Sequence, residues 1–344
     1  MQTLMNPSQA DLRAGVFRAR LLAWYDAHAR DLPWRKSGDP YRIWLSEVML
    51  QQTRVAAVIE HYHQFLRRFP TVNKLAAARE ASVLAAWSGL GYYRRARMVH
   101  AAAKVIAGEL RGEFPRTADE LEHLPGVGRY TAAAVASIAF RQPVAVVDGN
   151  VERVLGRFFA VDLRQEEIWQ AAESLLDRSR PGDFNQAMME LGATVCTPRA
   201  PACLTCPVME LCGTRGERPA AAKSPRQKKR EIHFALARQN GSVFLVQRPR
   251  DARLMAGMWE LPEILAPPST GKRRHNGNGN GKEDGKSAPL FKVRHSITVT
   301  DYSVQVWHSA PSDAAGEWIA LRRLPKLALT GLARKILRRA EILS

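Results

Sequence analysis

Cysteine is almost missing from this 344-residue chain: there are four, and all of them fall within residues 196–212. Two disulfides within that run are the plain alternative to a metal site, although stable disulfides are rare in a reducing cytoplasm. Also missing are an apolar run long enough to span a bilayer and a charged-then-apolar leader. The expectation is a cytoplasmic protein, nucleoid-associated in a bacterium, with no membrane partner. Acid is the scarcer charge, with 33 Asp and Glu against 51 Lys and Arg, a net charge of +18 and a pI near 10.3. In a chain otherwise ordinary at 46% hydrophobic, nucleic acid is the natural counter-charge. A merely soluble basic protein, or a membrane-surface binder, is the plainer alternative on charge alone.

The cysteines are spaced Cys196-x6-Cys203-x2-Cys206-x5-Cys212, and Pro198, Pro201 and Pro207 force turns between them. Four thiolates suit either tetrahedral zinc or an iron–sulfur cluster. Zinc ribbons usually offer two Cys-x2-Cys knuckles and this run has one, so spacing alone leaves both open.

Residues 11–212 read as helix-rich, with apolar positions recurring at three and four in Ile43, Val48, Val55, Val58, Tyr62 and Phe65. Residues 213–231 carry many Lys and Arg with no apolar period, as expected of a basic linker. From 232 to 344 short alternating runs predict strands, and the Asn-Gly and Gly-Lys repeats of 266–288 predict a disordered insert. Two domains are expected.

Three local features carry chemistry. Leu-Pro-Gly-Val-Gly-Arg-Tyr at 124–130 predicts a glycine hairpin between helices. Gly126 and Gly128 would let backbone approach a phosphate, with Arg129 beside them, although a ligand-free turn has the same look. Asp148 follows the apolar run 144–147 and precedes a helix, so it reads first as an N-cap. Its other reading is a carboxylate facing a developing cation. Glu47 lies among Trp44, Leu45, Val48, Met49 and Leu50. Burial there would raise its pKa and make it a general acid, whereas a position on the polar edge of the helix would leave it solvated.

Taken together, Pro-Trp-Arg at 33–35, Trp44–Thr53, Gly89–Arg97, the hairpin, Val147–Val151, Phe184–Gly192 and the cysteine spacing resemble the adenine DNA glycosylases of the MutY family. That family lies within the helix-hairpin-helix superfamily, which includes endonuclease III. The resemblance implies an all-α helix-hairpin-helix glycosylase domain with a [4Fe-4S] cluster on Cys196, Cys203, Cys206 and Cys212, plus a C-terminal α+β Nudix-like domain. It implies action on duplex DNA, excising adenine opposite 8-oxoguanine or guanine. A monomer is the default expectation, since nothing in the sequence suggests a self-complementary apolar face. Glu47 would protonate the base, and Asp148 would stabilise the sugar cation in the manner of two-carboxylate glycosidases. Tyr130 and Asn150 would support them, Trp34 and Arg35 would lie near the base, and Gln52 and Tyr92 would insert into the helix. Tyr130 stands where endonuclease III-type relatives carry the Lys of a Schiff base, which implies a glycosylase without strand-cutting chemistry.

Phe244–Pro249 and Met255–Pro262 resemble the opening of the family's Nudix-like domain, but the Gly-x5-Glu-x7-Arg-Glu-x2-Glu-Glu box is missing, so lesion recognition rather than nucleotide hydrolysis is implied. Ile297-Thr298-Val299 stands where relatives often carry Phe-Ser-His, which bears on discrimination of 8-oxoguanine from guanine. The alternatives are a thymine or pyrimidine mismatch glycosylase of the endonuclease III type and a non-catalytic iron–sulfur redox sensor that binds DNA.

Overall fold

The computed structural model describes residues 7–216, 228–252, 254–264, 288–297, 300–309 and 315–343. Residues 217–227 of the basic linker, 266–287 of the low-complexity insert, and Thr298 and Val299 lie outside the described residues. The chain divides into two compact units, Met1–Ala77 with Met98–Ala221, and Ala78–Arg97 with Ala222–Ser344.

Helices in chain order are α1 (Pro7–His28), α2 (Pro40–Leu50), α3 (Val55–Arg68), α4 (Val72–Ala76), α5 (Glu80–Trp87), α6 (Tyr93–Gly108), α7 (Ala118–Glu122), α8 (Arg129–Phe140), α9 (Gly149–Phe159), α10 (Gln165–Leu175) and α11 (Pro181–Thr194). Their starts are written in the sequence. Asp39 caps α2 by accepting from Tyr41 N at 2.9 Å, with Pro40 in the first turn. Thr117 and Glu120 form a reciprocal capping box on α7. Helix α8 can be central because its inward residues are small: Thr131 to Ser137 are all buried, five of them Ala or Val in an unbroken run. Beside it, Phe17, Leu21, Leu155, Phe158, Phe184 and Leu191 form the main core of the first unit, with Phe17 edge-on to Phe158 at 4.7 Å. Each such side chain contributes roughly 1.5–3 kcal/mol on burial. Among the described residues no helix is long and apolar enough to cross a membrane.

The second unit has β1 (Lys228–Leu236), β2 (Arg238–Gln239), β3 (Ser242–Gln247), β4 (Trp259–Glu260), β5 (Glu263–Ile264), β6 (Phe291–Ile297), β7 (Thr300–His308), β8 (Gly316–Ala320) and α12 (Gly331–Arg339). One sheet runs β5-β1-β7-β6, with β1 and β7 parallel from Lys228↔Thr300 to Leu236↔His308; the other runs β2-β3-β4 with β8 also on β3. Val243, Leu245, Val304, Val306, Ile319, Ile336 and Leu337 fill its core.

Two placements depart from the sequence reading. Strand β1 begins at Lys228, inside the stretch read as linker, because backbone pairing with Thr300–Ser303 needs no apolar side chains, and Lys228 to Glu231 are exposed. Residues 78–97, read as part of the helical domain, group with the C-terminal unit.

Candidate active site

Glu47 sits on α2 with only 5% of its surface exposed. Tyr130, in the first turn of α8, donates its hydroxyl to Glu47 Oε2 at 2.7 Å and also approaches Met189 Sδ at 3.4 Å. Burial pushes the Glu47 carboxyl up to about 7. The Tyr130 hydrogen bond and Arg35 oppose that rise, while Asp148 adds to it. Tyr130 is itself pushed well above its ordinary value by burial and by Glu47 and Asp148, so it stays a neutral donor. A carboxylic acid poised near neutral pH, with a fixed phenol on one oxygen, can deliver a proton.

Asp148 is the N-cap of α9. Its Oδ1 accepts from Asn150 N at 2.9 Å and Val151 N at 2.8 Å, and its Oδ2 from Asn150 Nδ2 at 2.8 Å. The cap thus engages both carboxylate oxygens and sets the direction of the group. Asn150 is held in turn by Arg153, whose Nη2 donates to Asn150 Oδ1 at 2.8 Å and to the Gly192 carbonyl at 2.7 Å. Gly192 must lack a side chain: a Cβ there would stand 2.6 Å from Asn150 Cβ. The extended run leading to Asp148 is tied by buried Asn185, whose Oδ1 accepts from Val146 N at 3.1 Å and whose Nδ2 donates to the Val144 carbonyl at 2.9 Å.

Arg35 is anchored by Glu190 on α11, a residue 1% exposed. Glu190 accepts from Arg35 Nη2 at 2.8 Å, from Arg30 Nε and Nη2 at 2.7 Å each, and from Arg30 N at 3.1 Å. Those donors outweigh burial and pull its carboxyl down to about 2. Glu47 and Glu190, both acids inside apolar helical stretches, therefore titrate in opposite directions because only one of them is paired with guanidinium groups. Sequence reasoning gave Glu190 no role. The signal was the same as for Glu47, an acid between Met189 and Leu191, but its partners are 155 and 160 residues away.

The remaining sequence candidates scatter. Trp34 is buried edge-on to Tyr62, ring centres 5.5 Å apart. Gln52 is exposed at φ +54°, while its neighbour Gln51 donates to Thr131 Oγ1 at 3.1 Å. Gly126 holds φ +75°, and a Cβ there would meet Met98 Cβ at 2.3 Å. Gly128 caps α8 with open space around it. Arg129 stacks over Trp169 at 4.0 Å and pairs with Glu166 at 3.0 Å. In the second unit, Tyr92 is 47% exposed at φ +47°.

The four cysteines, none of them in a disulfide, lie in a loop with two 3-10 turns, Cys203–Thr205 and Met209–Leu211. Burial, with smaller contributions from Cys196, Cys212 and Cys203, pushes the Cys206 thiol up to about 11. Arg157, buried beneath the loop, donates to Cys196 Sγ at 3.3 Å and to the carbonyls of Thr197 at 2.7 Å and Pro198 at 3.1 Å. A donor set of four soft sulfurs beside a buried cation fits an anionic iron–sulfur cluster. Among the described residues no three or more His, Cys, Asp or Glu side chains are arranged to hold a single metal ion.

A glycine turn opening α8, a buried acid under a phenol and a four-thiol loop thus lie within one helical unit. Residues 45–178 match the HhH-GPD superfamily of base excision DNA repair proteins, 196–212 the iron–sulfur binding domain of endonuclease III, and 233–339 the NUDIX domain. The adenine DNA glycosylase of Mus musculus is 42% identical over 323 residues, covering 76% of this chain and 62% of that protein. The adenine DNA glycosylase of Schizosaccharomyces pombe is 35% identical, covering 75% and 71%. A solved thermostable thymine-DNA glycosylase superposes with a TM-score of 0.57 at 30% identity, covering 60% of this chain and 97% of that one. The chain belongs to the adenine DNA glycosylase family. It spans about three fifths of the length of the mammalian relatives it matches.

Proposed function

We propose that the protein is a monofunctional adenine DNA glycosylase that hydrolyses the N-glycosidic bond of adenine paired with 8-oxoguanine or guanine in duplex DNA. The observation that carries this reading is the Tyr130–Glu47 pair, a buried acid held near neutrality by burial and oriented by a phenol. Tyr130 occupies Oε2, so Glu47 would present its proton on Oε1 to N7 of the flipped base, making adenine a neutral leaving group. The Asp148 carboxylate, fixed at both oxygens, would face the cationic sugar as the bond breaks, and water would complete the displacement.

Cys196, Cys203, Cys206 and Cys212 would hold a [4Fe-4S] cluster, which supplies a cross-link of the loop rather than a reacting group. The Tyr130 phenol cannot form the Schiff base that a lysine forms, which supports hydrolysis without strand cleavage. Gln52 and Tyr92, both exposed in left-handed conformations, fit side chains that replace a flipped base in the stack.

The test is single-turnover excision on duplexes with adenine opposite 8-oxoguanine, guanine or thymine, together with thymine opposite guanine. Release of adenine opposite the two purines is expected, abolished in Glu47→Gln and Asp148→Asn with DNA binding retained. Release of thymine in place of adenine would favour the pyrimidine reading. Efficient borohydride trapping of a covalent DNA complex would contradict the monofunctional one.

A further inference from the structure

The segment Ala78–Arg97 lies inside the stretch that matches the HhH-GPD superfamily, yet it groups with the C-terminal unit. The grouping has a specific polar basis. The carbonyl of fully buried Leu329 accepts from Ser88 Oγ at 2.9 Å and from Tyr93 Oη at 3.2 Å. Arg334, on α12, donates from Nε to the same Ser88 Oγ at 3.0 Å. Arg97 Nη2 donates to the Ala256 carbonyl at 2.5 Å while its Nε pairs with Glu80 at 3.0 Å.

The acceptor is itself fixed. Trp259 N donates to the Ala328 carbonyl at 2.8 Å and Thr330 N to the Trp259 carbonyl at 2.9 Å, so strand β4 brackets Leu329. Thr330 then caps α12 by accepting from Ala333 N at 3.1 Å.

Ser88 and Tyr93, the two donors to Leu329, flank the four residues 89–92. Three of these hold positive φ: Gly89 at +113°, Gly91 at +70° and Tyr92 at +47°. Leu90 is buried and Trp87 Nε1 donates to the Gly91 carbonyl at 3.1 Å, leaving Tyr92 as the exposed aromatic side chain of the loop. Arg95 lies over the Tyr92 ring at 5.1 Å. A tyrosine keeps a left-handed backbone only where its surroundings over-determine it, and here both ends of the loop are tied to one carbonyl.

We propose that Ser88, Tyr93 and Arg334 are positioning residues through which the C-terminal unit holds Tyr92 in the conformation that enters the DNA helix. The inference rests on the reading of Tyr92 as a helix-opening side chain. It makes the Nudix-like unit a direct participant in opening the duplex, beyond any contact it makes with the opposite base.

Cluster-loaded full-length Tyr93→Phe, Ser88→Ala and Arg334→Gln are compared with the parent in single-turnover excision on two duplexes. One is fully paired around an adenine opposite 8-oxoguanine; in the other, mismatches flank the same adenine and have already unstacked it. Each variant should lose about tenfold on the paired duplex and stay within about twofold of the parent on the unstacked one. Parent-like rates on the paired duplex, or equal losses on both, would overturn the proposal. Tyr92→Ala separates the two layers. If it is slow on the paired duplex while the three variants are not, the clamp inference fails alone. If Tyr92→Ala excises at the parent rate, the helix-opening reading fails first.

Discussion

Glu47→Gln should abolish excision and at the same time stabilise the helical unit, and only at high pH. Glu47 binds its proton more tightly when folded, at about 7, than at the ordinary 4.5. Folding is therefore unpenalised below about pH 4.5, where both states are protonated, and loses ground as pH climbs through 7. The gap of about 2.5 units corresponds to roughly 3 kcal/mol at pH 8.5, and to less than about 1 kcal/mol at pH 5. Glutamine keeps an acceptor for Tyr130 Oη, so the buried hydrogen bond survives while the charge is removed. By ~2–4 °C per kcal/mol for a unit of this size, the melting temperature should rise by roughly 6–12 °C at pH 8.5. Thermal melts of cluster-loaded parent and variant at pH 5 and 8.5 measure this directly. A variant no more stable than the parent at pH 8.5, or a gain equal at both pH values, would refute burial as the cause of the raised acid.

Other consequences follow from the same contacts. Tyr130→Phe deletes a hydrogen bond that lowers the Glu47 pKa, so the basic limb of the single-turnover pH profile should move up by on the order of one unit; an unmoved or down-shifted limb counts against the pairing. Gly192→Ala should force Asn150 aside and misaim Asp148, lowering the excision rate about a hundredfold while DNA binding, measured by gel shift, is retained. Glu190→Gln should destabilise the helical unit by about 3–5 kcal/mol in chemical denaturation, because Arg30 and Arg35 lose their shared anion. Since the Glu190 pKa is depressed, that anchoring is fully present above about pH 4.5 and fades as pH falls toward 2, so the variant and the parent should converge in acid.

How far the chain could be read before folding depended on the range of each interaction. Glu47, Asp148 and the cysteine run were legible because their signals are local: an acid in an apolar helix, a cap before a helix, a fixed spacing. Helix starts at Asp39 and Thr117 are of the same kind. What stayed hidden is set by pairs far apart in sequence. Nothing near Glu190 announces Arg30 and Arg35, nothing near Cys196 announces Arg157 beneath it, and Gly192 looks like any helical glycine until Asn150 packs on it. Residues 78–97 fall within the HhH-GPD match as read, but their grouping with the C-terminal unit stayed hidden for the same reason, since Ser88 and Tyr93 find their acceptor more than 230 positions downstream. The start of β1 was missed for a different one. Its first four residues pair through backbone alone, and side-chain patterning carries no trace of that.

The cap on α9 has a further implication for safety. A glycosylase of the proposed kind should not act when partly unravelled. Because the carboxylate proposed to face the sugar is the same group that accepts the first free amides of α9, fraying of that turn would withdraw it in the same motion. On that reading a loosened molecule is disarmed, and competence to release a base is tied to the integrity of a single helical end.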